Sequence, residues 1–240
     1  MTDHNTPQSA RFVAHHSILQ FDTHHPFALK SMLDAHEMHR TVMCGFYGWV
    51  PLEEQAPRAT MGVLSTWTVD LKNNRLVLVV QHRTPADWSQ IPTDALVDKP
   101  KTLPVDITIR TGDTYGFRTV VNPVHHRPGD KTPNGRTRRS AHKTPTHANK
   151  WFTDRLQAPG QPPTAPNGIT RIGATTDPAK LAVRMLPTIG SAHPKRRNLK
   201  VARAEIAGQL TVTDPTALTN ALATGIGKAR AYSAGLLLLR

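Results

Sequence analysis

The last sixteen residues constrain this chain most. Residues 225–235 form a small basic loop punctuated by Gly225, Gly227 and Gly235 and carrying Lys228 and Arg230. Leu236, Leu237, Leu238 and Leu239 follow without polar alternation. Glycine reaches positive φ at no steric cost and lets the backbone approach a bulky anion. A short unbroken apolar run reads as a strand buried on both faces. Together they predict a phosphate-friendly loop pinned against a central strand. The pattern is not a nucleotide-binding P-loop, which needs a longer spacing and a Ser or Thr after the Lys. Taken alone, a plain glycine-rich turn accounts for it as well.

Charge narrows the partners. The chain has 240 residues and a net charge of +13, from 30 Lys and Arg against 17 Asp and Glu. Such an excess points to a polyanion, with nucleic acid the default. No apolar run nears the ~20 residues that cross a bilayer, and no signal-peptide pattern follows Met1, so neither a membrane nor export is expected. The single Cys44 cannot form an internal disulfide or a zinc knuckle and fits a reducing cytoplasm. Aromatics make up only 5% of the chain. That weakens a base-stacking platform and favours backbone contacts to structured RNA or a duplex.

Taken in order, residues 11–21 are β-rich with neither face cleanly apolar, and predict a strand. His24, His25 and Pro26 end it, and 27–33 read as a short connector or helical turn. Asp34 and Glu37 have the capping-box spacing. Met38, Val42, Met43 and Phe46 form one stripe, predicting a helix over 35–47 with His36 in its first turn and His39 at the edge of the stripe. Residues 60–71 and 75–82 are β-rich runs joined by Lys72, Asn73 and Asn74, a hairpin signal. Residues 105–110 and 115–121 are two more candidate strands. Residues 125–143 are polar and basic and read as a connector between two domains. A helix bearing Trp151, Phe152, Arg155 and Leu156 follows. Strand material returns in 168–175, 181–189 and 199–212, with Lys195, Arg196 and Arg197 between the last two. Asp214 as cap and Pro215 at the first helical position open a final helix. Periodicity by itself supports an α+β chain in two halves.

The C-terminal string resembles the glycine-rich loop of the CRISPR RNA-processing endoribonucleases, in particular the CasE family of type I-E (Cascade) systems. The family pattern there is Gly-x-Gly-x-Ala-x-x-x-Gly-x-Gly-Leu-Leu. Gly225, Gly227, Lys228, Ala229, Gly235, Leu236 and Leu237 match, and Ser233 stands where the family often has another Gly. His36 to His39 matches the family's Tyr-x-x-His on the first helix, with His36 where several relatives carry Tyr. Lys143, Thr144 and Pro145 match the entry to a Trp-bearing helix. The resemblance covers nearly the whole chain. It implies two tandem ferredoxin-like (RRM-like) domains: residues 1–124 with the histidine helix, a basic linker 125–142, and residues 143–240 with a basic hairpin and the glycine-rich loop.

RNA can cleave itself when a 2′-OH attacks the adjacent phosphorus. An enzyme adds a base for that hydroxyl, an acid for the departing 5′-oxygen, and positive charge for the phosphorane. The resemblance puts His39 in the catalytic role, with His36 a second proton donor or acceptor and Lys228 holding phosphate at the cut. It assigns RNA contact to Lys143, to Lys195, Arg196 and Arg197 of the basic hairpin, and to Gly225, Gly227 and Arg230 of the loop. It implies a metal-independent endoribonuclease that cuts CRISPR repeat RNA at the base of its stem-loop, leaving a cyclic phosphate and a 5′-OH. The product stays bound by its 3′ handle, which makes the protein a Cascade subunit beside the backbone subunit. No cofactor or metal is expected: the histidine pairs have no acidic or Cys partners at ligand spacing. A non-catalytic module that binds structured RNA, with structural histidines, is the alternative.

Overall fold

The computed structural model describes residues 8–49, 57–131, 137–192 and 199–240. Ser9–Asp22 is strand β1. Two helices follow, Pro26–Leu33 (α1) and Ala35–Cys44 (α2), then a single helical turn, Pro57–Thr60 (α3). The segment expected as a connector is α1 because Pro26 brings a helical φ to its first turn and the His25 imidazole accepts the Phe27 N–H at 3.2 Å. Leu64–Asp70 (β2) and Arg75–His82 (β3) form the predicted hairpin, with Asn74 at φ +50° in its turn. Lys101–Arg110 (β4) completes an antiparallel sheet of order β2-β3-β1-β4.

The second half opens with Thr114–Val121 (β5). Val124–Lys131 (β6) and Thr137–Ala141 (β7) pair as an antiparallel ribbon in the stretch read as a linker. Next come Pro145–Thr153 (α4), Ala174–Thr175 (β8), Ala182–Gly190 (β9), Lys200–Val212 (β10), Pro215–Thr224 (α5) and Leu237–Leu239 (β11). The sheet order is β11-β5-β10-β8, and β9 also pairs with β10. With β8 and β9 taken together as the second strand of the second sheet, since both pair with β10, in both sheets the first and third strands lie side by side, the fourth flanks the first and the second flanks the third. That is the tandem ferredoxin-like arrangement. The chain passes from one sheet to the other at the turn between β4 and β5, so β5 belongs to the second sheet. The run ending in Leu239 is an edge strand paired with β5 alone, where a central strand was expected.

β1 shows why neither of its faces is cleanly apolar. Leu19 and Phe21 point into a core shared with Ala28 of α1, Met38 and Val42 of α2, and Leu76, Leu78 and Val80 of β3. Phe12 and Ala14 are of the opposite parity along the strand. They enter a second core with Ile109, Phe117, Phe152, Ile206, Leu218 and Leu222. One strand is therefore buried on opposite faces at its two ends and contributes to two separate cores.

Gly173 sits beneath α5 at φ +70°, and its carbonyl accepts the N–H groups of Thr213 (2.9 Å) and Asp214 (3.0 Å). A Cβ there would lie 2.2 Å from the Asp214 carbonyl oxygen and 2.4 Å from the Leu218 nitrogen. Gly173→Ala should therefore lower the unfolding free energy by about 1–3 kcal/mol, measured by urea denaturation.

Candidate nucleic-acid site

α2 is positioned by one residue. Asp34 Oδ1 accepts the backbone N–H groups of His36 (2.7 Å) and Glu37 (3.3 Å), which caps the helix. The reciprocal half of a capping box is absent, because Glu37 pairs with Lys30 (3.1 Å) and Arg40 (3.4 Å). Asp34 Oδ2 turns the other way. It accepts the Ala192 N–H at 2.8 Å and the Ser191 hydroxyl at 3.3 Å, beside a bridge between Asp34 and Gly190. The histidine helix is thus tied to the base of the β9–β10 hairpin. Burial pushes the Asp34 carboxyl up, but the bonds from Ala192, His36, Ser191 and Glu37 outweigh it and leave the group below its ordinary range.

α2 ends at Cys44, short of the expected 47: Met38 and Val42 of the predicted stripe are buried on the helix, Met43 is partly buried, and Phe46 is buried in the turn that follows, while His36 and His39 stand half-buried on the flank of α2. There the helix meets the glycine-rich loop. The His39 ring lies edge-on to Tyr232, with ring centroids 6.1 Å apart. Ala229 and Tyr232 also pack on Ala35, Ile189 and Val201, joining α2, β9, β10 and the loop in one small apolar cluster. Tyr232 is a neighbour of His39 that the sequence does not single out; no spacing relates it to a helix nearly 200 positions earlier.

The loop is held in a demanding conformation. Gly225, Gly227 and Gly235 have φ of +79°, +79° and +94°. Ile226 N–H donates to Gly235 O at 2.8 Å and Gly235 N–H to Val120 O at 2.6 Å, fastening both ends of the loop to each other and to β5. Ala229 (φ +61°) and Ser233 (φ +56°) also occupy the left-handed region, which side chains disfavour. The glycine expected at 233 by resemblance is therefore a conformational preference. Ser233 instead buries its hydroxyl 2.9 Å from that of Ser65 on β2.

Cations gather around the loop. Lys228 is exposed, and half-buried Arg230 donates to Thr224 O at 2.7 Å. Burial first, and repulsion from Arg230 second, push the Arg58 guanidinium below its usual value. Arg203 on β10 is 3% exposed, stacks 3.9 Å over Trp67, and is pushed down by burial to about 10. Lys143 is exposed just before Thr144, the cap of α4, whose Trp151 faces Gly227. Lys195, Arg196 and Arg197 lie outside the described residues, between the paired ends of β9 and β10. Among the described residues no three His, Cys, Asp or Glu side chains form a metal-holding group, and no helix is long and apolar enough to cross a membrane.

A family model described as "CRISPR associated protein" matches residues 15–240. The chain belongs to this family. Its fold is that of a CRISPR endoribonuclease Cse3 bound to 19-nucleotide RNA (TM-score 0.68, 20% identity, 95% of this chain and 99% of that one). Cse3 of Thermus thermophilus, bound to an RNA representing a pre-cleavage complex, superposes with a TM-score of 0.67 at 22% identity over 95% and 99% of the two chains. The CRISPR-associated protein Cas6e of Escherichia coli gives 0.62 at 17% identity over 94% and 98%. Comparison with curated proteins found no match.

Two outcomes are expected of this CRISPR-associated protein. Asp34→Asn keeps an oxygen for the helix cap but replaces the second acceptor with an amide donor. Hydrogen exchange at the Ala192 amide should accelerate while the helical circular dichroism is retained, whereas Asp34→Ala should also lose about 0.5–2 kcal/mol of capping. For Gly227→Val, the new Cβ would sit 2.7 Å from the Trp151 ring. Displacement of that indole should shift tryptophan fluorescence and cost about 1–3 kcal/mol in addition to disordering the loop.

Proposed function

We propose that the protein is a metal-independent endoribonuclease that cuts CRISPR repeat RNA at the base of its stem-loop. The observation that carries this reading is the meeting of His39 with the glycine-rich loop at Tyr232. It supports this reading because it brings an imidazole, the side-chain type whose unperturbed pKa lies nearest neutrality, against the loop that also carries Lys228 and Arg230.

In the proposed reaction a 2′-OH attacks the adjacent phosphorus, the bond to the 5′-oxygen breaks, and a 2′,3′-cyclic phosphate and a 5′-OH remain. His39 moves the proton at one of the two oxygens, and acid–base help of this kind is worth about 10²–10⁴-fold. His36, one turn earlier on the same helix, is the second candidate for proton transfer. Lys228 supplies charge where the phosphorane develops. Lys143, Gly225, Gly227 and Arg230 contact the RNA backbone. Lys195, Arg196 and Arg197, carried between β9 and β10, grip the stem through its phosphates, since A-form RNA is read chiefly by shape and charge. The Asp34 link gives that grip a direct mechanical path to the histidine helix. The product remains bound by its 3′ handle, and the protein serves as a Cascade subunit in the cytoplasm, next to the backbone subunit.

A labelled repeat hairpin incubated with the protein in EDTA tests the reading, with the product termini identified by phosphatase and kinase treatment. Cleavage leaving a cyclic phosphate and a 5′-OH is expected; binding without cleavage would leave a structured-RNA-binding module. His39→Ala should reduce the single-turnover rate by at least about 10²-fold while hairpin affinity stays near wild type, because proton transfer acts on the transition state. Replacing Lys195, Arg196 and Arg197 together by Ala should weaken binding and flatten its log–log salt dependence by about 0.7–0.9 per lost phosphate contact.

A further inference from the structure

The glycine-rich loop has a second neighbour besides α2. Between it, the C-terminal end of α4, the exposed side of α5 and residues 163–172 opens a cleft of about 450 Å³. Arg155, Arg171, Lys228 and Arg230 line it together with Asn167 and Asn220, and the described lining residues include no Asp or Glu. Three of these cations are fixed by the protein, Arg230 among them through its bond to Thr224 O. Arg155 lies 3.4 Å over the Trp151 indole and donates to the Trp151 carbonyl. Arg171 donates to Pro162 O at 2.8 Å. Burial pushes Arg155 down to about 10, which still leaves it charged at neutral pH.

Four like charges around one cavity repel each other unless an anion joins them, and a concave wall of one sign concentrates counter-ions. Size then selects the ligand. The cavity falls at the lower end of the range taken by small molecules, about 300–1,000 Å³. It has room for a nucleotide or two and none for a duplex. Trp151 is buried beneath Arg155, so the stack presents a guanidinium plane, a surface on which an unpaired base can stack.

We propose that this cleft binds one or two nucleotides of single-stranded RNA that leave the stem beside the glycine-rich loop. The inference rests on the repeat-RNA reading above and adds to it a site for the RNA outside the stem, with Arg155, Arg171 and Asn220 as its residues. The stem grip and the histidine helix hold the duplex end; this cleft holds the strand that continues from it.

The test compares three labelled RNAs on the His39→Ala protein, which leaves them uncut: the blunt repeat hairpin, and the same hairpin with a short tail on its 5′ or its 3′ side. The readout is the ratio of tailed to blunt affinity. One of the tails should raise affinity by about tenfold, the effect of a charge-assisted contact or two, and steepen the salt slope by about 0.7 per phosphate engaged. Arg171→Gln and Asn220→Glu, the second an exposed helix position that tolerates substitution, should each reduce that ratio severalfold. The proposal is overturned if neither tail changes affinity or slope, or if both folded variants keep the wild-type ratio. Failure of the blunt hairpin to bind would instead sink the repeat-RNA reading. The cleft would then be judged on the tail as a free oligonucleotide, whose binding both variants must weaken.

Discussion

The site depends on one carboxylate with two loyalties. Asp34 commits one oxygen to the first turn of α2 and the other to the base of the β9–β10 hairpin. A helix start and a hairpin 157 positions away are thereby set in one register. Without that link α2 would still pack by Met38 and Val42, but its angle to the second half would rest on the small cluster around Ala35, Ile189, Val201, Ala229 and Tyr232 and on the His39–Tyr232 ring contact. The charge makes these bonds strong: a carboxylate accepting several N–H groups is held more firmly than a neutral acceptor. It also makes them sensitive to acid. A carboxyl held below its ordinary value contributes stability above about pH 4, where its unfolded counterpart is ionised. That contribution fades as the pH falls through the lower folded value.

The second constraint is strain in the glycine-rich loop. Ala229 and Ser233 each adopt a backbone that costs about 1–2 kcal/mol for an L residue. The surroundings over-determine it: Gly235 is fastened to β5, Ser233 to Ser65, Arg230 to Thr224. Strain held this way is typical of segments whose shape serves binding. Here it turns Tyr232 toward His39 on one side while Lys228 and Arg230 border the cation-lined cleft.

Much of the fold is legible in short stretches of the sequence. The cap at Asp34, the stripe on α2, the β2–β3 hairpin and the Asp214-Pro215 entry to α5 all follow from local rules, and local rules act within a turn or two of chain. The features that the fold revises involve neighbours far along the sequence. The run ending in Leu239 is apolar because Leu236 and Leu237 are buried, Leu237 in the second core, although the strand itself lies at a sheet edge. Residues 125–143 are basic and polar, yet β6 and β7 pair with each other, and pairing between adjacent strands needs no apolar pattern. The mixed faces of β1 look unpatterned until its two ends are seen to serve two cores.

By itself the sequence determined the two-half α+β plan, the histidine helix, the basic loop that ends in leucines, and the polyanion-seeking charge. Each of these is a property of composition or of spacing along one element. Only the tertiary structure decided that Tyr232 stands against His39, that Asp34 ties two halves together, that β5 changes sheets, and that Arg155 and Arg171 face Lys228 and Arg230 across one cavity. The reason is the range of the forces involved. Capping and periodicity act over a few residues, whereas ring contacts, charge clusters and strand partners depend on distances that only the folded chain sets.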